Sequence, residues 1–351
     1  MAQPLKNLSV EEARGRMLAD ASLLGVETVG IGDALGRVLA KAIDATRDQP
    51  PFAASAMDGW AIRRADLTSD AVFRVAGESA AGKAYPGVVA EGEAIRIFTG
   101  APVPAGADLV VIQEEAQRDG DTVRFAAGGD PRSNIRPAGG DFCSGDRLLE
   151  AGVRLDPWRL SLAAAAGRAT LEVARRPRVA ILATGDELVQ PGGTPAPDQI
   201  FESGSIALAA LVETWGGSAT RLTAAADNAE AIAASVAGIE ADLIVTIGGA
   251  SVGDHDLVKP AMARLGLALR VETIAIRPGK PTWFGTLVDG RRVLGLPGNP
   301  ASALVCAELF LRPLLAALTG RAPAPAMIAA RLAAPLPANG PREHWMRAAL
   351  S

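Results

Sequence analysis

The stretch LIVTIGGASVGDHD, residues 243–256, places a short β-prone run directly before two glycines and a series of small and acidic residues. Such a run reads as a strand buried on both faces, and the glycines as its turn into a helix. The same grammar extends in both directions. Upstream stand VAILAT (179–184), SIALAALVETWG (205–216), TRLTAAA (220–226) and AEAIAASVAG (229–238); downstream follow LVKPAMARLG (257–266), RVETIAI (270–276) and ASALVCAELFLRPLLAAL (301–318). Apolar strands alternating with amphipathic helices predict a parallel sheet covered on both faces. In such sheets ligands bind beyond the carboxyl ends of the strands, where helix N-termini offer free N–H groups and partial positive charge.

Three strings occupy those strand ends: TGDEL (184–188), GGASVGDHD (248–256) and LPGNPAS (296–302). Gly248 and Gly249 allow the backbone to approach a ligand closely, and Ser251 with the N–H groups after it suits a phosphate. Asp254 and Asp256 either cap the helix opening or, in the case of Asp256 paired with Glu187, hold Mg2+ beside that phosphate. His255 reads as a surface or structural histidine. In RPGKPTWFG (277–285), Arg277 and Lys280 flank a Pro-Gly turn, which is either a solvated hairpin or a local anion site. Asn299 reads as a helix N-cap, with Pro300 at the first helical position and Ser302 in the first turn.

Composition agrees with a layered globular protein. The 351 residues are 49% hydrophobic and 21% charged, and 38 Gly and 24 Pro accompany only 4% aromatics, the mark of many tight turns. A net charge of -4 without concentrated basic patches argues against nucleic acid. Two cysteines and two histidines lack metal-ligand spacing, and neither a secretory leader nor an apolar run of membrane-spanning length is evident, so a cytoplasmic protein with reduced thiols is expected.

Before residue 177 the pattern differs. Ser9 and Glu12 form a capping box ahead of a helix expected to reach about Leu24, and Pro157 opens a second helix. Between them, residues 51–142 alternate short β-prone pieces with Gly/Pro-rich turns, which predicts an inserted β-rich domain. Its loops carry PPFAASAMDGWAIR (50–63), FTGAP (98–102) and SNIRPAGGD (133–141), with Asp58, Thr99, Arg136 and Asp141 on turns. Loops on a β scaffold are where function is displayed, although a tight turn alone explains each of these strings.

Taken in order, SAMDGWA, FTGAP, SNIRPAGGD, TGDEL, TIGGASVGDHD, RPGKP and GLPGNPASAL resemble the molybdopterin molybdenumtransferase family, which includes the MoeA proteins and the matching domain of gephyrin. The resemblance runs from about residue 5 to the chain end. It implies a multidomain α/β protein: a discontinuous helical linker domain (5–50 and 143–176), the inserted β-rich domain (51–142), a three-layer αβα molybdopterin- and nucleotide-binding domain (177–324), and the start of a C-terminal β domain (325–351). It further implies a homodimer that binds adenylylated molybdopterin and molybdate, hydrolyses the adenylate with Mg2+, and releases AMP and molybdenum cofactor. Molybdopterin adenylyltransferase and apo-molybdoenzymes are the implied protein partners; nucleic acid and membrane are not.

Carried onto this chain, the family pattern assigns catalytic roles to Asp58, Asp141, Glu187, Asp227 and Asp256, with Glu187 and Asp256 holding the metal. It assigns substrate contacts to Thr99, Arg136, Thr184, Gly185, Ser203, Gly248, Gly249, Ser251, Gly253, Pro297 and Asn299, and molybdate contacts to Arg277, Lys280, Ser302 and Arg342, with Arg347 as the alternative to the last. Asp58, Thr99, Arg136 and Asp141 are expected to reach the crevice from the partner subunit. Three departures stand out: Glu202-Ser203-Gly204 replaces a common Asp-Ser/Thr-Asn, Arg277 replaces a usual Lys, and Trp60 replaces a frequent Tyr. Two other readings use the same features, a molybdopterin adenylyltransferase and a non-catalytic pterin-binding scaffold.

Overall fold

A computed structural model describes residues 5–69, 71–126, 132–185, 187–222, 228–249, 257–322, 328–336, 338 and 340–349. The chain forms two compact units, one of Met1–Lys41, Ala151–Leu160 and Ala169–Ser351, the other of Ala42–Glu150 with Ser161–Arg168.

The larger unit is built on β1 (Arg178–Ala183), α1 (Gly204–Thr214), β2 (Ser218–Leu222), α2 (Ala229–Ala237), β3 (Leu243–Ile247), α3 (Val258–Arg264), β4 (Ala268–Val271), β5 (Trp283–Thr286), β6 (Arg292–Leu296) and α4 (Pro300–Cys306). The sheet order is β2-β1-β3-β6-β5-β4. Successive residues of β1 serve opposite faces, as a two-residue period demands. Val179 and Ile181 pack with Leu208 and Val212 of α1, while Ala180 and Leu182 pack with Ile232 and Val236 of α2 and Met262 of α3.

The expectation of an all-parallel sheet needs correcting. Strands β2, β1, β3 and β6 are parallel, but β5 runs antiparallel to β6, and β4 antiparallel to β5. The cause is local: Leu287 N–H donates to Arg291 O at 2.9 Å, closing a short hairpin between β5 and β6 that only antiparallel strands can share. RVETIAI is likewise not one strand. It breaks after Val271, and Ile276–Arg277 pairs in parallel with Glu343–His344 instead.

Residues 5–50 and 143–176 do not form a single helical body. The N-terminal helix, Val10–Leu18, carries the capping box and buries Val10, Ala13 and Met17 in the same core as β1 and α1. It stops at Leu18 rather than near Leu24, because Asp20 and Ser22 follow, residues whose side chains compete with helical backbone bonds. Val26–Gly30 then pairs antiparallel with Thr170–Ala174. The helical run Pro300–Leu318 is long and apolar enough to cross a membrane, contrary to the sequence expectation, yet 61% of its apolar 18-residue window is buried within the fold. Its middle turn, Ala307–Leu311, widens to a π-turn just before Pro313, which lacks an N–H and crowds the carbonyl four residues earlier.

The smaller unit contains a six-stranded sheet ordered Leu109–Ile112, Gly59–Ile62, Glu93–Ile97, Val72–Ser79, Thr122–Phe125 and Ala116–Asp119. Alternate residues again feed two cores, Trp60, Ile62 and Phe73 on one face and Ala61, Ile95 and Ile97 on the other.

Candidate functional site

The strand order fixes where a site can form. From β1 the chain crosses outward to β2, and from β3 it proceeds to the other side, so the carboxyl ends of β1 and β3 flank a switch point. A cavity of about 330 Å³ lies there, lined by Thr184, Gly185 and Glu187 after β1, Ser203 and Gly204 at the start of α1, Gly248 and Gly249 after β3, and Gly298 and Pro300 at the start of α4. Two post-strand loops meet at its floor. A Cβ on Gly248, at φ +87°, would lie 2.6 Å from Thr184 O, and one on Gly249, at φ +57°, would lie 2.3 Å from Val258 Cγ2. Only glycine permits both the left-handed backbone and this approach.

The α1 start is an unusual cap. Ser203 occupies the N-cap without a side-chain hydrogen bond, and Glu202 does the work, its Oε1 accepting from Ser205 N–H at 2.6 Å. Helix starts carry further first-turn donors and partial positive charge, a setting for an anion. Glu187 holds its carboxylate beside Gly185 at the cavity edge.

Of the sequence-expected residues, Thr184, Gly185, Glu187, Ser203, Gly248 and Gly249 line this one cavity. Pro297 and Asn299 flank the lining residue Gly298; Asn299 Oδ1 accepts from Ser302 N–H at 3.1 Å and from Ser302 Oγ at 3.2 Å, as the N-cap reading requires. Asp227, Ser251, Gly253 and Asp256 lie outside the described residues, as do Asp254 and His255. Among the described residues no cluster of three or more His, Cys, Asp or Glu is arranged to hold a metal. Magnesium needs only one or two carboxylates plus phosphate and water oxygens, a demand that the hard donor Glu187 fits.

Arg277 and Lys280 are exposed and do not line the cavity. Their turn rests on α4: Gly279 lies so close to Cys306 that a Cβ there would fall 2.3 Å from Sγ, and Thr282 Oγ1 donates to that sulfur at 3.3 Å. Burial pushes the Cys306 thiol up to about 11, so it serves as protonated packing between the cationic turn and the helix that carries Ser302. Arg342 and Arg347 flank the strand Glu343–His344, whose Glu343 N–H donates to Ala275 O at 2.9 Å; Trp345 N–H donates to Arg277 O at 2.8 Å. The cationic turn and the C-terminal arginines are therefore neighbours in backbone terms.

The smaller unit gathers its own candidates. Asp58 Oδ1 accepts from both Thr99 N–H and Thr99 Oγ1 at 2.8 Å. Those two donors, with the Arg96 charge, hold its carboxyl below the usual range. Thr99, Arg136 and Asp141 line a cavity of about 540 Å³ with Phe52 and Ser55. Ser55 Oγ donates to Met57 O at 2.6 Å, and the strand pair Ala54–Ser55 with Ile135–Arg136 brings the SAMDG and SNIRP loops together. Arg96 stacks over Phe98 and Trp60 and donates to Gly59 O at 3.0 Å, so Trp60 forms part of a cation–π clamp behind Asp58.

One pairing escaped the sequence reading, which registered Glu202 only as a departure from the family pattern and did not single out Arg221. Glu202 is 3% exposed and lines the larger unit's cavity, and Arg221 of β2 donates to it at 3.0 Å. Nothing in their spacing signals the pair, which is made by the register of β2 against β1.

Residues 8–167 match the family model described as "MoeA N-terminal region (domain I and II)", and residues 180–317 match "Probable molybdopterin binding domain". A molybdopterin molybdenumtransferase of Haemophilus influenzae is 37% identical over 318 residues, covering 90% of this chain and 78% of the relative. The corresponding Nostoc protein is 35% identical, covering 91% and 76%. The crystal structure of a molybdopterin biosynthesis MoeA protein from Pyrococcus horikoshii superposes with a TM-score of 0.76 at 32% identity, covering 90% of this chain and 81% of that one. On this agreement of motifs, fold and relatives, the chain belongs to the molybdopterin molybdenumtransferase family, a family of transferases of molybdenum cofactor biosynthesis.

Proposed function

We propose that this protein binds adenylylated molybdopterin and molybdate, hydrolyses the adenylate in the presence of Mg2+, and releases AMP and molybdenum cofactor, working as a cytoplasmic homodimer. One observation carries the reading: the loops after β1 and β3 and the starts of α1 and α4 enclose one cavity rich in glycine and helix-start donors, suited to a diphosphate. Water adds across the phosphoanhydride, AMP leaves, and the pterin phosphate remains. Glu187, with Asp256, would hold Mg2+, which supplies charge neutralisation at phosphorus when bound. Thr184 and the donors around Ser203 orient the phosphates, and Arg277, Lys280 and Ser302, near Arg342, receive the molybdate dianion. Ser251, Gly253, Pro297 and Asn299 complete the substrate contacts, and Asp227 joins the catalytic carboxylates. In the smaller unit Asp58 stays ionised and held by Thr99, which lines that unit's own cavity with Arg136 and Asp141, ready to orient the reacting groups.

The test is reconstitution of an apo-molybdoenzyme with the protein, Mg2+, molybdate and preformed adenylylated molybdopterin, following AMP and recovered activity. Molybdate-dependent AMP release is expected. Product formed only from ATP and free molybdopterin would instead identify an adenylyltransferase, and binding without turnover a scaffold.

A further inference from the structure

The wall of the β1/β3 cavity contains a second carboxylate. Glu202 is 3% exposed and faces a site that, on the reading above, holds a phosphate-bearing guest. A bare buried carboxylate there would repel its own ligand, and its burial would be costly unless paired and hydrogen-bonded. It is paired. Arg221 Nη2 donates to Glu202 Oε2 at 3.0 Å, and Ser205 Oγ donates to the same oxygen at 2.7 Å. Arg221 Nε donates to that Ser205 hydroxyl at 2.7 Å, which closes a three-membered ring. Arg221 also donates to Gln190 Oε1 at 3.2 Å, and Glu202 N–H donates to Val189 O at 2.8 Å. The ring thereby fastens the segment after β1, the first turn of α1 and the edge strand β2 to one another through Glu202, which lines the cavity.

We infer that Arg221 is a positioning and charge-compensating residue of this cavity: it neutralises Glu202 and fixes the α1 start so that an anionic guest can be accepted. The inference rests on the phosphate-binding reading and deepens it. Capping α1 requires only an acceptor for Ser205 N–H, which Glu202 supplies unaided. The guanidinium is needed because the acceptor is a full negative charge in an anion site. Its fork geometry lets one side chain reach both Glu202 and Ser205.

A structural brace and a charge compensator differ in what they do to neutral and charged ligands. The experiment is calorimetric titration of the full chain with ADP and Mg2+, and separately with adenosine, for wild type, Arg221→Gln, Arg221→Lys, Glu202→Gln and the double variant Glu202→Gln/Arg221→Gln. Circular dichroism establishes that each is folded. Wild type is expected to bind ADP. Arg221→Gln should weaken ADP about tenfold, the scale of one uncompensated charge at protein dielectric, with adenosine within twofold of wild type. Arg221→Lys should retain most of the ADP affinity, the double variant should recover it to within about threefold, and Glu202→Gln alone should bind ADP more tightly than wild type. Should Arg221→Gln not fold, Glu202→Gln and the double variant carry the same comparison. The inference is overturned if ADP and adenosine weaken together in Arg221→Gln, if ADP affinity is unchanged there, or if the double variant recovers nothing. A folded wild type that binds ADP while these variants behave so leaves the phosphate-binding reading standing. A wild type that fails to bind ADP removes that reading, and the inference with it.

Discussion

At the scale of single residues, the cavity depends on approaches too close for any side chain. Gly249→Ala would place a Cβ 2.3 Å from Val258 Cγ2 on a left-handed backbone, so a loss of about 1–3 kcal/mol is expected in chemical denaturation, partly relieved by Val258→Ala. The same scale governs Asp58. Thr99 donates to its carboxylate through both amide and hydroxyl, and Arg96 adds charge, so the folded value lies below the ordinary one and Asp58 remains ionised through neutral pH. Thr99→Val removes one donor; the Asp58 carboxyl, followed by carbon NMR, should titrate at higher pH than in wild type, and the acid limb of activity should rise with it. An unmoved titration would mean that the hydroxyl contributes nothing to Asp58. Much of this was legible in the chain: glycines after a buried strand and an Asn-Pro pair before a helix announce their geometry through φ preference and capping. Glu202 and Arg221 were not, because nineteen residues separate them and only strand register brings them together.

At the scale of elements, two devices hold the strand ends in place. Asn299 caps α4 beside the cavity, and Asn299→Ala should cost about 1 kcal/mol by thermal or chemical denaturation, while Asn299→Asp or Ser should cost less. At the opposite end of the sheet, Asp242 accepts from Arg175 Nη1 at 3.0 Å and Nη2 at 2.9 Å and from Arg178 N–H at 2.7 Å, tying the starts of β1 and β3. Burial works to raise the Asp242 carboxyl, but these donors outweigh it and the net direction is down. A lowered folded value means the contribution is complete above the unfolded value of about 3.9 and is lost as pH falls through the folded one. Asp242→Asn should therefore cost about 1–3 kcal/mol at neutral pH and flatten the stability profile below about pH 4. An unchanged acid profile would remove Asp242 from that role. The helices and the parallel strands of the larger unit followed from periodicity and cap residues, although the first helix ends at Leu18 rather than near Leu24. The antiparallel turn of β5 and β4 did not, since apolar runs carry no direction and a hairpin connection decides it.

At the scale of the whole molecule, two compact units each hold a distinct group of the residues that the family resemblance singled out. The strand and helix alternation foretold a crevice beyond the carboxyl ends, and the cavity between the loops after β1 and β3 lies where the strand order reverses. Domain boundaries were harder to read, because the N-terminal helix and β1 are far apart in sequence yet share one core. The central claim is that this cavity is where the phosphate-bearing part of the substrate sits. Hydrogen–deuterium exchange of the full chain, with and without adenylylated molybdopterin and Mg2+, tests it most directly. The expected result is ligand-dependent protection concentrated in peptides covering residues 180–190, 200–207 and 245–249. Protection that spares all three segments while the ligand is demonstrably bound would contradict the account.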